Sequence, residues 1–163
     1  MSGVSMRVEV DDLGVRSKIL SLIGLGKNPA DAMRDLATYG ESSTRERFRL
    51  QLDPQGNRWK PSLRVQLHGG KTLTRDGHLG NSITSRSGRF LAEWGTNRIY
   101  GAIHQFGGVI KPKHAPSLRF QLANGAFVST KKVEIPQRAF LGVNEENAAD
   151  MLDLLQARIE GGH

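Results

Sequence analysis

Apolar and polar positions along this chain switch between a period of two and a period near 3.6, and the switches mark out its elements. Met6-Arg-Val-Glu-Val10 alternates and predicts a short strand. Val15, Ile19, Leu22 and Ile23 then share one side of a helix, with Asp11 and Asp12 offering an N-cap and Gly24-Leu-Gly26 ending it. Asn28-Pro29 starts the next helix, with Asn as cap, Pro at the first helical position and Asp31 in the first turn. Met33, Leu36, Ala37, Gly40, Thr44 and Phe48 recur at spacings of three and four, so this helix runs about 20 residues and buries one stripe. Arg45, Arg47 and Arg49 gather at its far end, where cations complement the helix dipole.

The middle of the chain changes character. Asp53-Pro-Gln-Gly56 is a turn, and Trp59-Lys-Pro61 anchors it, the indole packing back while Pro61 forces an extended path. From Leu63 to Arg75 the periodicity fades into a Gly- and Lys-bearing loop, expected to be mobile. Ser82–Gly88 and Arg89–Trp94 predict a hairpin with Phe90, Ala92 and Trp94 on one face. Gly95-Thr-Asn97 closes it and supplies caps for a short helix over Ile99–Phe106, which Gly107-Gly108 stops in a left-handed conformation. Val109–Pro116 lacks periodicity and is expected to be an extended, exposed loop. Leu118, Phe120 and Leu122 alternate into Asn124-Gly125, a two-residue type I′ signal that sets Leu122 opposite Phe127.

Val133-Glu-Ile135 is a last strand, stopped by Pro136. Val143-Asn144 caps a final helix with Glu145 and Glu146 in its first turn, a stripe of Ala148, Met151, Leu152, Leu155 and Ile159, and Gly161-Gly162 at its end. The sum is an α+β fold: an antiparallel sheet built from hairpins, packed by N-terminal helices and a C-terminal helix. It reads as a single domain over 1–163 with mobile loops at about 62–76 and 108–117.

Composition narrows the partners more than the fold. The 163 residues are 37% hydrophobic and 24% charged, enough for a core without disulfides, and there is no cysteine to make one. No apolar run approaches the roughly 20 residues that cross a bilayer, and the opening residues lack the order of a secretion signal, so a soluble protein without membrane contact is expected. The net charge of +7 is unevenly placed. Eight Lys or Arg fall between Arg45 and Arg75 against Glu46 and Asp53, whereas five acids between Glu145 and Glu160 face Arg158 alone. A basic middle and an acidic end could pair copies head to tail, or simply be solvated faces of opposite sign.

Catalytic chemistry is not legible. The five histidines, 68, 78, 104, 114 and 163, fall in no metal-binding spacing. Asp11-Asp12 and Glu145-Glu146 sit where helices begin and read as capping carboxylates. Neither a nucleophile elbow nor a phosphate loop is present, so the reading is a non-enzyme without cofactors. His104 lies four residues after Tyr100 on one helical face, placed either to bond a neighbouring subunit or to brace its own backbone. Arg138 and Phe140 point the same way from an extended stretch. They are either paired interface anchors, or a core aromatic beside an arginine that caps carbonyls.

Four segments in order carry a resemblance: Phe48…Pro54-Gln-Gly56…Trp59-Lys-Pro61, Leu73-Thr-Arg-Asp-Gly-His-Leu79…Ser82-Ile83, Tyr100-Gly-Ala-Ile-His-Gln-Phe-Gly-Gly108 and Ile135-Pro-Gln-Arg-Ala-Phe-Leu-Gly142. Together they resemble the virion-morphogenesis and tail-completion proteins of tailed phages, the group with the Mu G-like and P2 S-like proteins. Gly101 stands where that family more often has Ala, and Ala139 where Pro is commoner. The resemblance implies a structural protein of the neck or tail end, a ring (hexameric or dodecameric) that completes the tail or joins it to the head. It would work in the host cytoplasm during assembly, beside neck, tail or connector proteins. On that reading His104, Lys111, Lys113, His114, Ile135, Arg138 and Phe140 are subunit-interface candidates. Arg45, Arg47, Arg49, Arg58, Lys60 and Arg64 would face DNA backbone or an acidic partner. The alternative is a small basic protein that binds nucleic acid without sequence preference.

Overall fold

The computed structural model describes residues 4–9 and 14–161. In chain order the elements are β1 (Val4–Glu9), α1 (Val15–Gly24), α2 (Pro29–Leu50), α3 (Leu63–His68), α4 (His78–Asn81), β2 (Thr84–Ser87), β3 (Leu91–Thr96), α5 (Gly101–Phe106), β4 (Gly108–Ile110), β5 (Leu118–Gln121), β6 (Phe127–Thr130), β7 (Val133–Ile135) and α6 (Glu145–Glu160). The fold is α+β, and its antiparallel strands form three separate pieces: β1-β3-β2, β4-β7 and β5-β6.

Helix α2 is the spine. The Asn28 side chain accepts the Ala30 N–H at 3.1 Å with Pro29 at the first helical position, so both sequence signals for its start operate. Met33, Leu36, Ala37, Gly40, Thr44 and Phe48 are all buried, as the spacing predicts. Ala92 and Trp94 of the central strand β3 face this stripe. Helices α1 and α6 add Val15, Ile19, Leu22, Met151 and Leu155 to the same core. Lys27 clamps the end of α6 through its Nζ, which donates to the carbonyls of Arg158 (2.8 Å) and Ile159 (2.9 Å).

Several expectations need correction. The Asp11–Asp12 cap lies outside the described residues, and α1 starts after Gly14, which has φ 77° and makes no side-chain cap bond. Ile23 is 41% exposed, because it turns away from the face that Leu22 buries. Phe90 precedes β3 rather than lying in it and stays 42% exposed. The stretch read as a loop from Leu63 contains α3, started by the Ser62 hydroxyl accepting the Val65 N–H at 3.3 Å. Asn97 caps nothing, since the Thr96 hydroxyl takes the Arg98 N–H and α5 begins at Gly101.

The second hairpin is slipped relative to its expected register. Phe127 pairs with Gln121, not Leu122. Leu122 and Ala126 close a three-residue loop, with the Gly125 N–H bonded to the Leu122 carbonyl and Gly125 at φ 86°. That is a type I turn followed by a left-handed glycine, the other turn that Asn-Gly serves. Val109–Pro116 is not all loop either, because its first residues form β4 against β7, with Ile110 opposite Val133.

Gly40 fixes the approach of α2 to the sheet, because a Cβ there would overlap the Trp94 ring. Ala in a helix gains about 1 kcal/mol over Gly, but overpacking a fully buried indole costs about 1–3 kcal/mol. Gly40→Ala is therefore expected to lower the free energy of unfolding in urea. An unchanged or raised midpoint would show that the Trp94 contact is loose.

Candidate functional site

Three of the segments that carry the resemblance converge on one feature, the chain from Pro136 to Gly142. It crosses the body without joining any sheet, since Pro136 cannot donate to a ladder and β7 ends at Ile135. Its buried backbone groups must therefore find other partners. Gln105 of α5 supplies three: its Oε1 accepts the N–H groups of Phe140 (3.0 Å) and Leu141 (2.9 Å), and its Nε2 donates to the Leu141 carbonyl (2.8 Å). The Trp59 indole Nε1 donates to the Ala139 carbonyl at 2.8 Å. Arg47 of α2 donates to the Phe140 carbonyl at 3.0 Å and to Asn147 Oδ1 at 2.5 Å. The Arg138 N–H donates to the His104 carbonyl at 2.7 Å.

Packing completes the lock. Phe140 is fully buried against Phe48, ring centroids 5.2 Å apart, and Phe48 meets Trp59 edge-on at 5.2 Å. Gly107 has φ 70°, and a Cβ there would lie 2.8 Å from the Gln137 nitrogen, so conformation and space both require glycine. Gly142 lets the buried Pro54 of the Asp53–Asn57 turn press on the segment, and Asn144 Nδ2 donates to the Pro54 carbonyl at 2.8 Å. The first and third motifs thus enclose the fourth, through Phe48, Pro54 and Trp59 on one side and Gln105 and Gly107 on the other.

This geometry reassigns several candidates. Phe140 is a core residue and is not available to another subunit. Arg138 is 7% exposed, its Nε donating to the Lys60 carbonyl at 2.6 Å, and burial pulls its pKa below the usual guanidinium value. Arg47 is equally buried and shifted the same way by desolvation, and its guanidinium is committed to Phe140 and Asn147 rather than to DNA. The ring of His104 packs edge-on to Tyr100 at 6.3 Å, and its buried Nδ1 has no hydrogen-bond partner among the described residues. Desolvation first, then the Arg138 charge, lowers the His104 pKa, which favours the neutral imidazole. Its backbone bond runs through the carbonyl, not the ring.

The remaining basic candidates lie at the surface or near it. Arg45 pairs with Glu41 at 2.9 Å and reaches the Ile83 carbonyl. Arg49 pairs with Glu46, and Arg64 is bonded to the Lys71 carbonyl at 2.6 Å. Arg58 and Lys60 are exposed. Gln105 and the inward course of Arg47 escape a reading by composition. The available signal was a polar side chain between Ile103 and Phe106 on a short helix that ends in Gly107-Gly108.

Beyond the lock, the chain from Phe106 to Gln137 forms an arm without one buried residue. It holds β4-β7 at its base and β5-β6 at its tip, and displays Phe106 (66% exposed), Val109 and Phe127 (84%). Lys111, Lys113 and His114 are exposed on it, and Ile135 at its root is half-buried. Among the described residues no group of three or more His, Cys, Asp or Glu could hold a metal ion. No described helix is long and apolar enough to cross a membrane.

Comparison with known proteins agrees with the motif reading. The phage virion morphogenesis family matches residues 10–160. The "Putative capsid assembly protein G" of Escherichia phage Mu is 31% identical over an alignment of 167 positions, covering 96% of this chain and 95% of that protein. The "Mu-like prophage FluMu G protein 2" of Haemophilus influenzae is 32% identical over 127 positions, covering 78% of this chain and 75% of the relative. No solved structure matches significantly.

Gln105→Ala would leave two N–H groups and one carbonyl of the buried segment without partners, at about 1–3 kcal/mol each before relaxation. A loss of about 3–5 kcal/mol in unfolding free energy is expected, with faster amide exchange at Phe140 and Leu141. A loss below about 1 kcal/mol would mean that Phe140 packing alone holds the segment.

Proposed function

The chain belongs to the phage virion morphogenesis family and serves the assembly of phage particles; within that role we propose that it is a structural subunit that completes the tail or joins it to the head at the neck, working as a ring of identical copies. The observation that carries this reading is the contrast between a locked body and an arm of some thirty residues with nothing buried. Two-stranded hairpins are marginal in water. An arm built of two such pairs, tipped with an exposed aromatic, gains its order and hides its apolar side chains when another protein covers it. The motifs build no reaction centre. They hold the backbone that carries both ends of this arm.

The mechanism is mechanical. Segment 136–142 and α5 flank the arm, so a force or contact at the arm is delivered to the core through Arg138, Gln105 and Phe140. The Mu relative is named for capsid assembly, which suits a protein working near the head. Contact with DNA, where it occurs, would involve Arg58, Lys60 and the outer ends of Arg45 and Arg49 through phosphate charge. A free-standing nucleic-acid binder is less well supported. Arg47 is internal, and Arg45 and Arg49 already have carboxylate partners.

Replacing Lys111–Lys132 by an Asn-Gly turn would close Ile110 directly onto Val133, the last pair of β4-β7. No buried residue is removed, so the melting temperature should stay within about 2 °C. Infectious yield should nevertheless fall by orders of magnitude, with filled heads and tails accumulating unjoined in electron micrographs. Normal yield from this variant would remove the arm from assembly.

A further inference from the structure

An open groove of about 590 Å³ lies where α2 meets the start of α6 and the Asp53–Asn57 turn. Its lining includes the apolar side chains of Leu50, Leu52 and Pro54. Its rim carries four carboxylates, Glu46, Asp53, Glu146 and Asp150. Arg47 is the single cation in the lining, and its guanidinium is already bonded to Phe140 and Asn147. Two of the acids are partly committed. Asp53 accepts the N–H groups of Gln55 and Asn57, and Asp150 accepts the Tyr39 hydroxyl at 2.5 Å. That bond adds to burial, the larger cause, in pushing the Tyr39 pKa up to about 12. Glu46 pairs only with the exposed Arg49, and Glu146 makes no ion pair among the described residues.

The arm has the opposite chemistry. Between Gly108 and Ile135 it carries Lys111, Lys113, Arg119, Lys131 and Lys132 against Glu134 alone, and Glu134 is paired with Lys132 at 2.8 Å. Val109 and Ile110 are exposed by 51% and 41%. Pro112 restricts Lys111 to extended backbone, so a stiff Ile-Lys-Pro-Lys run presents apolar and basic side chains together.

We propose that the groove receives the arm of a second copy of this chain. Val109–Lys113 seats on the apolar lining, and Lys111 and Lys113 meet the exposed carboxylates of Glu146 and Glu46, the latter exchanging its surface pair with Arg49. Charge complementarity selects this occupant, because an acidic rim repels nucleic acid and matches the basic arm. Arm and groove are different surfaces, so the contact is heterologous and passes from copy to copy until the rotation closes a ring. One such contact is smaller than the roughly 1,200 Å² of a stable interface. Ring closure gives every subunit two of them, which makes assembly steeply dependent on concentration and salt. The inference rests on the reading of the protein as a ring-forming subunit and names the surfaces that close the ring.

Two exposed double substitutions separate the outcomes: Lys111→Glu with Lys113→Glu on the arm, and Glu46→Lys with Glu146→Lys on the rim. Sedimentation velocity at low salt is expected to show wild-type protein above monomer mass and each variant as monomer. An equimolar mixture of the two variants restores both complementary pairings, intact arm on intact rim and reversed arm on reversed rim, so it should assemble again as alternating copies. A chain carrying all four reversals should regain the wild-type mass. If both variants assemble like the wild type, this docking pair is overturned while ring formation stands. If the wild-type chain is monomeric in solution and within the particle, ring formation itself is overturned.

Discussion

The structure depends on pairing a buried, extended backbone that has no strand beside it. From Pro136 to Gly142 the chain runs through the core, where a peptide group without a partner costs as much as a good hydrogen bond returns. Gln105 is the efficient answer, because one primary amide offers a donor and an acceptor and here engages two N–H groups and a carbonyl on adjacent residues. Trp59 and Arg47 each take a further carbonyl. These three side chains come from α5, the segment after the Asp53 turn, and α2. The segment therefore acts as the common partner of all three.

Two arginines in this arrangement are held without carboxylates on their buried atoms. Arg47 bonds a carbonyl and an amide oxygen, and Arg138 a carbonyl, while desolvation lowers both pKa values. Guanidinium tolerates this better than ammonium, because it spreads its charge, is weakly hydrated and donates along several fixed directions. The consequence is that the net charge of +7 overstates the positive surface. Lys27 on the α6 carbonyls and Lys71 on the Arg49 carbonyl follow the same habit of donating to backbone. Lys27, Arg47, Arg64, Lys71 and Arg138 thus serve as long donors for carbonyls left open at helix ends and loops.

That habit also marks the limit of what the sequence discloses. Helix starts were legible wherever a short side chain acts on its own neighbours: Asn28 before Pro29, and Asn144, whose capping box with Asn147 is complete. The α2 stripe and the Ala92–Trp94 face were legible because periodicity reports burial directly. Ile23 and Phe90 failed because an apolar side chain at the edge of a pattern can fall on either side of the boundary. The hairpin loop failed because Asn-Gly serves two turn types that differ by one residue in register. For Phe140 and Arg138 the sequence left two readings open, interface anchors or a core aromatic beside a carbonyl-capping arginine, and Arg47 was misplaced. Their burial comes from contacts across 78 to 100 residues of chain, which no local pattern encodes.

The arm reverses that relation between pattern and burial. Leu118, Phe120 and Val128 alternate as a half-buried sheet face should, and the Asn-Gly turn is well formed, yet the arm from Phe106 to Gln137 buries nothing. Natural sequences are usually consistent across levels, so strand patterning without a core on the same chain is a conflict within the monomer alone. The conflict disappears once the missing layer comes from outside. The polar lock and the naked arm are then parts of one design. On the proposed reading, a body that satisfies its own backbone leaves the arm, whose tip meets it where the His68 ring bonds the Ala123 carbonyl at 2.8 Å, for a partner to cover.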